Sequence, residues 1–208
     1  MSTPTEESMI LDVMSVESGI PVSELEKMPL NKKGAINDPH DRGGITSIWG
    51  WTEKSLLDCK AGITAAELTF KDAYELYAKN YYVKSGASLV LPIHPYLAKA
   101  MLNFGIHAGY KRAAMQLQTL LNMHNNNQAL WKDMVVDGVI GKGTIDCLML
   151  YLQKRSGDGD DILFTDYLIA VGAHYQAIIK ADPTQEKYMM GWSRRVHEQL
   201  RDYFTKKS

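Results

Sequence analysis

Cysteine is scarce in this chain: Cys59 and Cys147 are the only two. Both lie in segments of helical or near-helical pattern. That excludes a disulfide-stapled scaffold and a zinc knuckle, and it reads as free thiols in a reducing compartment. Long apolar runs are also lacking, since none approaches the about 20 residues needed to span a bilayer. The N-terminal MSTPTEESMILDVMSVESG has no basic stretch ahead of an apolar one, so no secretory signal is read there. Charge of one sign is missing as well: 23 Lys and Arg stand against 24 Asp and Glu, formally −1. Nothing resembles a nucleic-acid binder's basic field. The small total does not exclude a polymeric anionic ligand, because local potential governs such binding.

The six histidines include no H-x-x-x-H or H-E-x-x-H spacing, so no metal and no cofactor are implied. His94, His107 and His124 share one third of the chain, and His107 is the one with the best claim to a cleft. SGDGDD (Ser156 to Asp161) starts like a calcium loop, yet Ile169 stands where the twelfth-position Glu belongs. A loop leading into a helix explains it.

What is present is helical periodicity. Met9, Ile10, Val13 and Met14 recur at helical spacing over Glu6 to Val16, and Gly19 and Pro21 end that segment. A short helix is expected from Ser23 to Met28. Thr69 followed by Asp72 reads as a capping box for LTFKDAYELYAKNYY. HPYLAKAMLNFGIHAG and YKRAAMQLQTLLNMH are two more helices. Thr144 is expected to cap a helix over Ile145 to Gln153 after an Asp-Gly turn. A long helix to about Lys180 and a last one carrying Met190, Trp192, Val196 and Leu200 complete the set. The expected fold class is mainly α, with at most a small β element near residues 36–52.

The densest chemistry lies in INDPHDRGGITSIWGWT, Ile36 to Thr52. Asp38 precedes Pro39 and suits a turn. Asp41 precedes Arg42 and the Gly43-Gly44 pair, where the backbone can approach a ligand closely. An ordinary Asp-rich surface turn fits the same residues. A carboxylate there can orient water, with Thr46 near enough to help. Glycosidic cleavage needs a second carboxyl that keeps its proton. Glu17 ends the first amphipathic helix just before Ser18-Gly19, and a helix's negative end favours the protonated form. Glu24 and Glu26 are rivals on a segment that looks more exposed. Trp49, Trp51, Tyr81 and Tyr82 are candidates to stack on sugar faces, whereas Trp131 and Trp192 read as packing residues.

DPHDRGGIT, with Gly50 and Thr52 close behind, resembles the signature of glycoside hydrolase family 108, the phage and bacterial N-acetylmuramidases. LTFKDAYELYAKNYY, LNFGIHAGYKRAAMQLQTLLN, VDGVIGKGT and GWSRRV resemble the family's later motifs, in the family's order. The resemblance implies a lysozyme-like fold, with a catalytic portion over 1–95 and a helical, peptidoglycan-binding portion over 96–208. It also implies hydrolysis of the β-1,4 bond between N-acetylmuramic acid and N-acetylglucosamine in host cell lysis by a phage endolysin. Glu17 would be the acid, Asp41 and Thr46 its helpers. Trp49, Tyr81, Tyr82 and His107 would contact sugar.

Two departures matter. Counting back from Asp38 without a gap sets Lys32 where the family has its Glu. Placing Glu17 there instead requires an insertion over about 20–33, favoured because Pro29 breaks any helix running into Lys32. The family's Asp and Asn in the central helix are Gly105 and His107 here. The expected partner is the peptidoglycan glycan strand, met by a monomer without nucleic acid or stable membrane insertion. The chain would wait in the host cytoplasm until released to the wall. A lytic transglycosylase, or an inactive murein-binding protein if Lys32 replaces the acid, are the alternatives.

Overall fold

The computed structural model describes residues 3–37 and 45–207. Among these, the fold is mainly α with one two-stranded sheet, in line with the sequence. The chain divides into two compact units, Pro4–Lys84 and Ser85–Ser208, with Met1–Thr3 grouped with the second.

The N-terminal unit begins with α1 (Glu6–Ser18). Thr5 caps it: its hydroxyl accepts from the Ser8 amide at 3.2 Å, and Ser8 Oγ accepts from the Thr5 amide at 2.9 Å. Such a box contributes roughly 1 kcal/mol. Met9, Ile10, Val13 and Met14 are buried, each burial stabilising by about 1.5–3 kcal/mol. Gly19 stops the helix at φ 70°, its amide donating to the Ser15 carbonyl at 2.9 Å.

Residues 20–33, the expected insertion, form α2 (Val22–Leu25) and a turn around Pro29. The helix is shorter than expected and is fixed by the fully buried Leu25. The strip after it is tied by main chain to the next long helix. Phe70 donates to the Lys32 carbonyl at 2.9 Å and Lys71 to the Leu30 carbonyl at 3.1 Å. A bridge joins Lys33 to Thr69. The antiparallel strands β1 (Ala35–Asn37) and β2 (Ile45–Ser47) follow, with Ile36 opposite Thr46. Then come α3 (Glu53–Asp58), capped by Thr52, and α4 (Phe70–Tyr77), capped by Thr69 and Asp72 as expected. After Tyr77 the helix widens into a π-helical stretch, Ala78–Val83.

The C-terminal unit contains α5 (Ala87–Val90), α6 (Pro95–Ala108), α7 (Tyr110–Met123), α8 (Lys142–Lys154), α9 (Gly159–Ala181) and α10 (Met189–Lys207). Its core is aromatic and aliphatic, with Phe104, Leu117, Tyr151, Phe164, Tyr167 and Leu168 buried. Two of the buried phenols are satisfied by main chain: Tyr167 donates to the Ala113 carbonyl at 3.0 Å and Tyr151 to the Gly159 carbonyl at 2.7 Å. The Asp-Gly turn before α8 hangs on Gln118. Its amide nitrogen donates to Asp137 Oδ1 at 2.8 Å and the Val139 carbonyl at 3.1 Å, while its oxygen accepts from the Gly138 amide at 2.9 Å. Thr144 is not the cap of α8. The helix starts earlier, after Gly141, and Thr144 is buried inside it with its hydroxyl 3.4 Å from the Gln118 amide.

α9 is long and apolar enough to cross a membrane by composition, and it is the only such helix among the described residues. Here its apolar stripe of Leu163, Phe164, Tyr167, Leu168 and Val171 is core.

Candidate active site

Glu17 is an exposed residue on the last turn of α1, and its backbone is fixed by the Gly19 stop. The stem of its side chain rests on Gly50. A Cβ at position 50 would lie 2.6 Å from Glu17 Cβ and 3.0 Å from the Tyr77 hydroxyl, and Gly50 itself has φ 83°. Only glycine meets both demands. The turn that carries Gly50 is closed by its own bonds. Gly50 donates to the Ser47 carbonyl at 3.0 Å, Ser47 donates to the Trp51 carbonyl at 2.8 Å, and Trp51 donates to Ser47 Oγ at 3.1 Å.

Behind the acid stands an aromatic wall. Trp51 and Tyr77 have ring centroids 4.9 Å apart, Trp51 and Tyr81 5.8 Å, and Tyr77 and Tyr81 6.0 Å. Tyr77 is buried and donates to the Trp49 carbonyl at 2.9 Å. Burial, then the charge of Glu17, then Tyr81 push the Tyr77 phenol well above its ordinary range. Burial, Cys59 and Glu17 raise that of Tyr81. The Glu17 carboxyl is therefore felt by both phenols.

The other candidates separate. Thr46 lies on β2, half-buried, opposite Ile36 and bridged to Thr52. Asp38, Asp41 and Gly43-Gly44 lie outside the described residues, in the segment joining β1 to β2. Tyr81 belongs to the wall beside Glu17.

Trp49 does not line a groove. It is fully buried, edge-on to Phe70 at 5.3 Å, so no sugar can reach either face. Tyr82 is likewise buried, and its phenol is raised to about 12 by burial and then by Glu6. Glu6 is in the first turn of α1, roughly 16 Å along the helix from Glu17 at 1.5 Å per residue. Trp51, 2% exposed, closes the wall from within. His107 sits on α6 of the other unit, against Arg195 of α10. The residue is exposed at its edge while its ring is crowded. Burial first and the guanidinium second push it down to about 4.

Lys32 is exposed, on no helix, and engaged through its main chain. Among the described residues no group of three or more His, Cys, Asp or Glu converges as a metal site. Sequence reasoning missed Tyr77 and Gly50 as parts of the site. Tyr77 stood at helical spacing from Tyr81, and a glycine between two tryptophans was the available signal.

Comparison with known families now bears on this geometry. Residues 30–109 match the family model Glycosyl hydrolase 108. Residues 112–197 match that of a Predicted Peptidoglycan domain. The order is that of the sequence resemblance, and together the matches support a glycoside hydrolase acting on peptidoglycan. The hydrolase match begins at Leu30, so Glu17 precedes the matched residues while Tyr77, Tyr81 and Gly50 fall within them. Among solved structures the chain is similar to Brucella abortus SagA, with a TM-score of 0.57 and 21% identity over 96% of this chain and 95% of that one. This likeness concerns the fold, and it fits the mainly α, lysozyme-like expectation. No curated protein matches the sequence.

Proposed function

We propose that the protein is an N-acetylmuramidase, hydrolysing the β-1,4 bond between N-acetylmuramic acid and N-acetylglucosamine. Glu17 donates a proton to the leaving glycosidic oxygen. Asp41 stabilises the oxocarbenium-like transition state or positions water, and Thr46 hydrogen-bonds that water. Tyr81 borders the sugar beside the acid. The observation that supports this reading is the seat of Glu17: a helix-end acid whose Cβ lies against Gly50 and whose charge reaches the buried Tyr77 phenol. We further propose that the chain serves as a phage endolysin, reaching the wall when the host membrane is breached.

The test is Glu17→Gln on purified murein, read as released reducing ends. Removal of a general acid lowers the rate by about 10²–10⁴-fold. An unchanged rate would sink the assignment. Mass spectrometry of the products separates hydrolysis from transglycosylation, since the latter leaves anhydromuramic ends.

A second reading follows from the match beginning at Leu30, which includes Lys32 and excludes Glu17. In it the protein holds murein without cutting it. Wild-type protein that sediments with murein and releases no reducing ends decides for that reading.

A further inference from the structure

The N-terminal unit has a second concave surface, apart from the seat of Glu17. α1 packs on both α2 and α4, and the three leave a groove of about 420 Å³ where they meet. Buried Leu11, Leu25 and Phe70 form its floor, and half-buried Met28 and Tyr74 form its sides. That volume is in the range of ligand pockets, and apolar side chains left open in a groove mark an interaction surface.

The mouth of the groove is acidic. Glu7 from α1, Glu26 from the end of α2 and Glu75 from α4 stand around it, all exposed. Lys71 is the only cation lining it among the described residues, and its ammonium lies 3.7 Å from the Glu75 carboxylate, so that pair is balanced. Glu7 and Glu26 remain, and neither forms an ion pair among the described residues. Negative charge reaches the groove wall: the Tyr74 phenol is raised by burial first and then by Glu6 and Glu7. Glu7 and Glu17 stand at opposite ends of α1, about 15 Å apart along its axis. Glu7, Leu11, Leu25, Glu26 and Met28 all precede residue 30, where the hydrolase match begins. Most of the groove is therefore built from chain that the matched family portion does not contain.

Charge selects the occupant. Murein, nucleic acid and anionic lipid carry net negative charge, which an acidic mouth repels. A segment that sets Lys or Arg beside large apolar residues satisfies floor and rim together. We propose that this groove docks a basic amphipathic helix of a partner protein, its apolar face on the floor of Leu11, Leu25 and Phe70 and its cations at Glu7 and Glu26. The inference is independent of the cleavage reading, since the occupant engages the opposite end of α1 from Glu17.

The experiment is fluorescence anisotropy of the whole protein with a labelled synthetic helical peptide of Leu and Lys at amphipathic spacing. The control peptide has Glu in place of every Lys. Wild type should bind the Leu/Lys peptide about tenfold or more tightly than the Leu/Glu peptide. Glu7→Gln combined with Glu26→Gln should remove most of that preference. Asp146→Asn combined with Glu198→Gln, an equal change of charge at exposed positions of the other unit, should leave it intact. Met28→Ala should weaken binding of the Leu/Lys peptide several-fold through lost apolar contact. If the Glu7 and Glu26 double variant melts early, Glu26→Gln alone should lower the preference several-fold. Equal binding of the two peptides by wild type, or full preference in the Glu7 and Glu26 variant, overturns the proposal. So does a dimer in sedimentation that Met28→Ala abolishes, because the groove would then hold a second copy of this chain. Murein cleavage is read separately: wild type that binds the peptide and cuts no murein sinks the catalytic reading alone.

Discussion

The two units hold their important side chains in opposite ways. In Pro4–Lys84 the helices α1 to α4 have 13, 4, 6 and 8 residues, and position is set by stops, caps and main-chain bonds. In Ser85–Ser208, α6 to α10 run from 13 to 23 residues, and position is set by interlocked rings and long-range polar contacts. A carboxyl that must meet one atom of a ligand is served by the first construction, because a tight turn fixes its neighbours to within tenths of an ångström. A broad surface that accepts repeated units of a polymer is served by the second.

Four substitutions sharpen this contrast. Gly50→Ala should do the most damage. It forces an alanine into left-handed backbone and onto Glu17 Cβ, at a cost on the order of 3 kcal/mol. Thermal melting should show the loss, and murein cleavage should fall with it. Gln118→Ala strikes the other construction. It strands the buried Gly138 amide and takes the donor from the Val139 carbonyl, and chemical denaturation should record a loss of about 2 kcal/mol. A smaller change there would mean that the turn before α8 holds itself.

His107→Gln probes the neutral imidazole facing Arg195 and Tyr175. Its folded pKa of about 4 lies below the ordinary 6.5. Between those values the unfolded chain binds the extra proton, so this group makes stability rise with pH across that window. The variant should therefore lose less melting temperature than wild type on acidification from pH 6.5 to 4. Equal slopes would show that His107 titrates normally. Least of all should come from Lys142→Ala, which removes an exposed i,i+4 pair with Asp146. A change beyond about 0.5 kcal/mol would contradict the weight assigned to surface charge.

How much of this was legible in the sequence differs by element. The capped start of α4 and the halt of α1 at Gly19 follow from local rules, and local rules placed Glu17 at a helix end. α3 and the Thr5 cap of α1 went unread because both boxes pair threonine with serine rather than with an acid or amide. The π-helical stretch after Tyr77 has no composition of its own. Trp49 and Tyr82 were misassigned to a groove for a shared reason: an aromatic's exposure depends on tertiary neighbours, here Phe70 and the first turn of α1. Thr144 looked like a cap for want of knowing that Gln118 would bury it.

The strip from Leu30 to Lys33 is fastened to the start of α4 by main-chain bonds at Leu30, Lys32 and Lys33. Mutational drift along it can therefore proceed without loosening the attachment, and homologues should differ there freely. A residue-by-residue ancestry drawn through that strip will track neutral change, while the inherited feature is the path of the backbone.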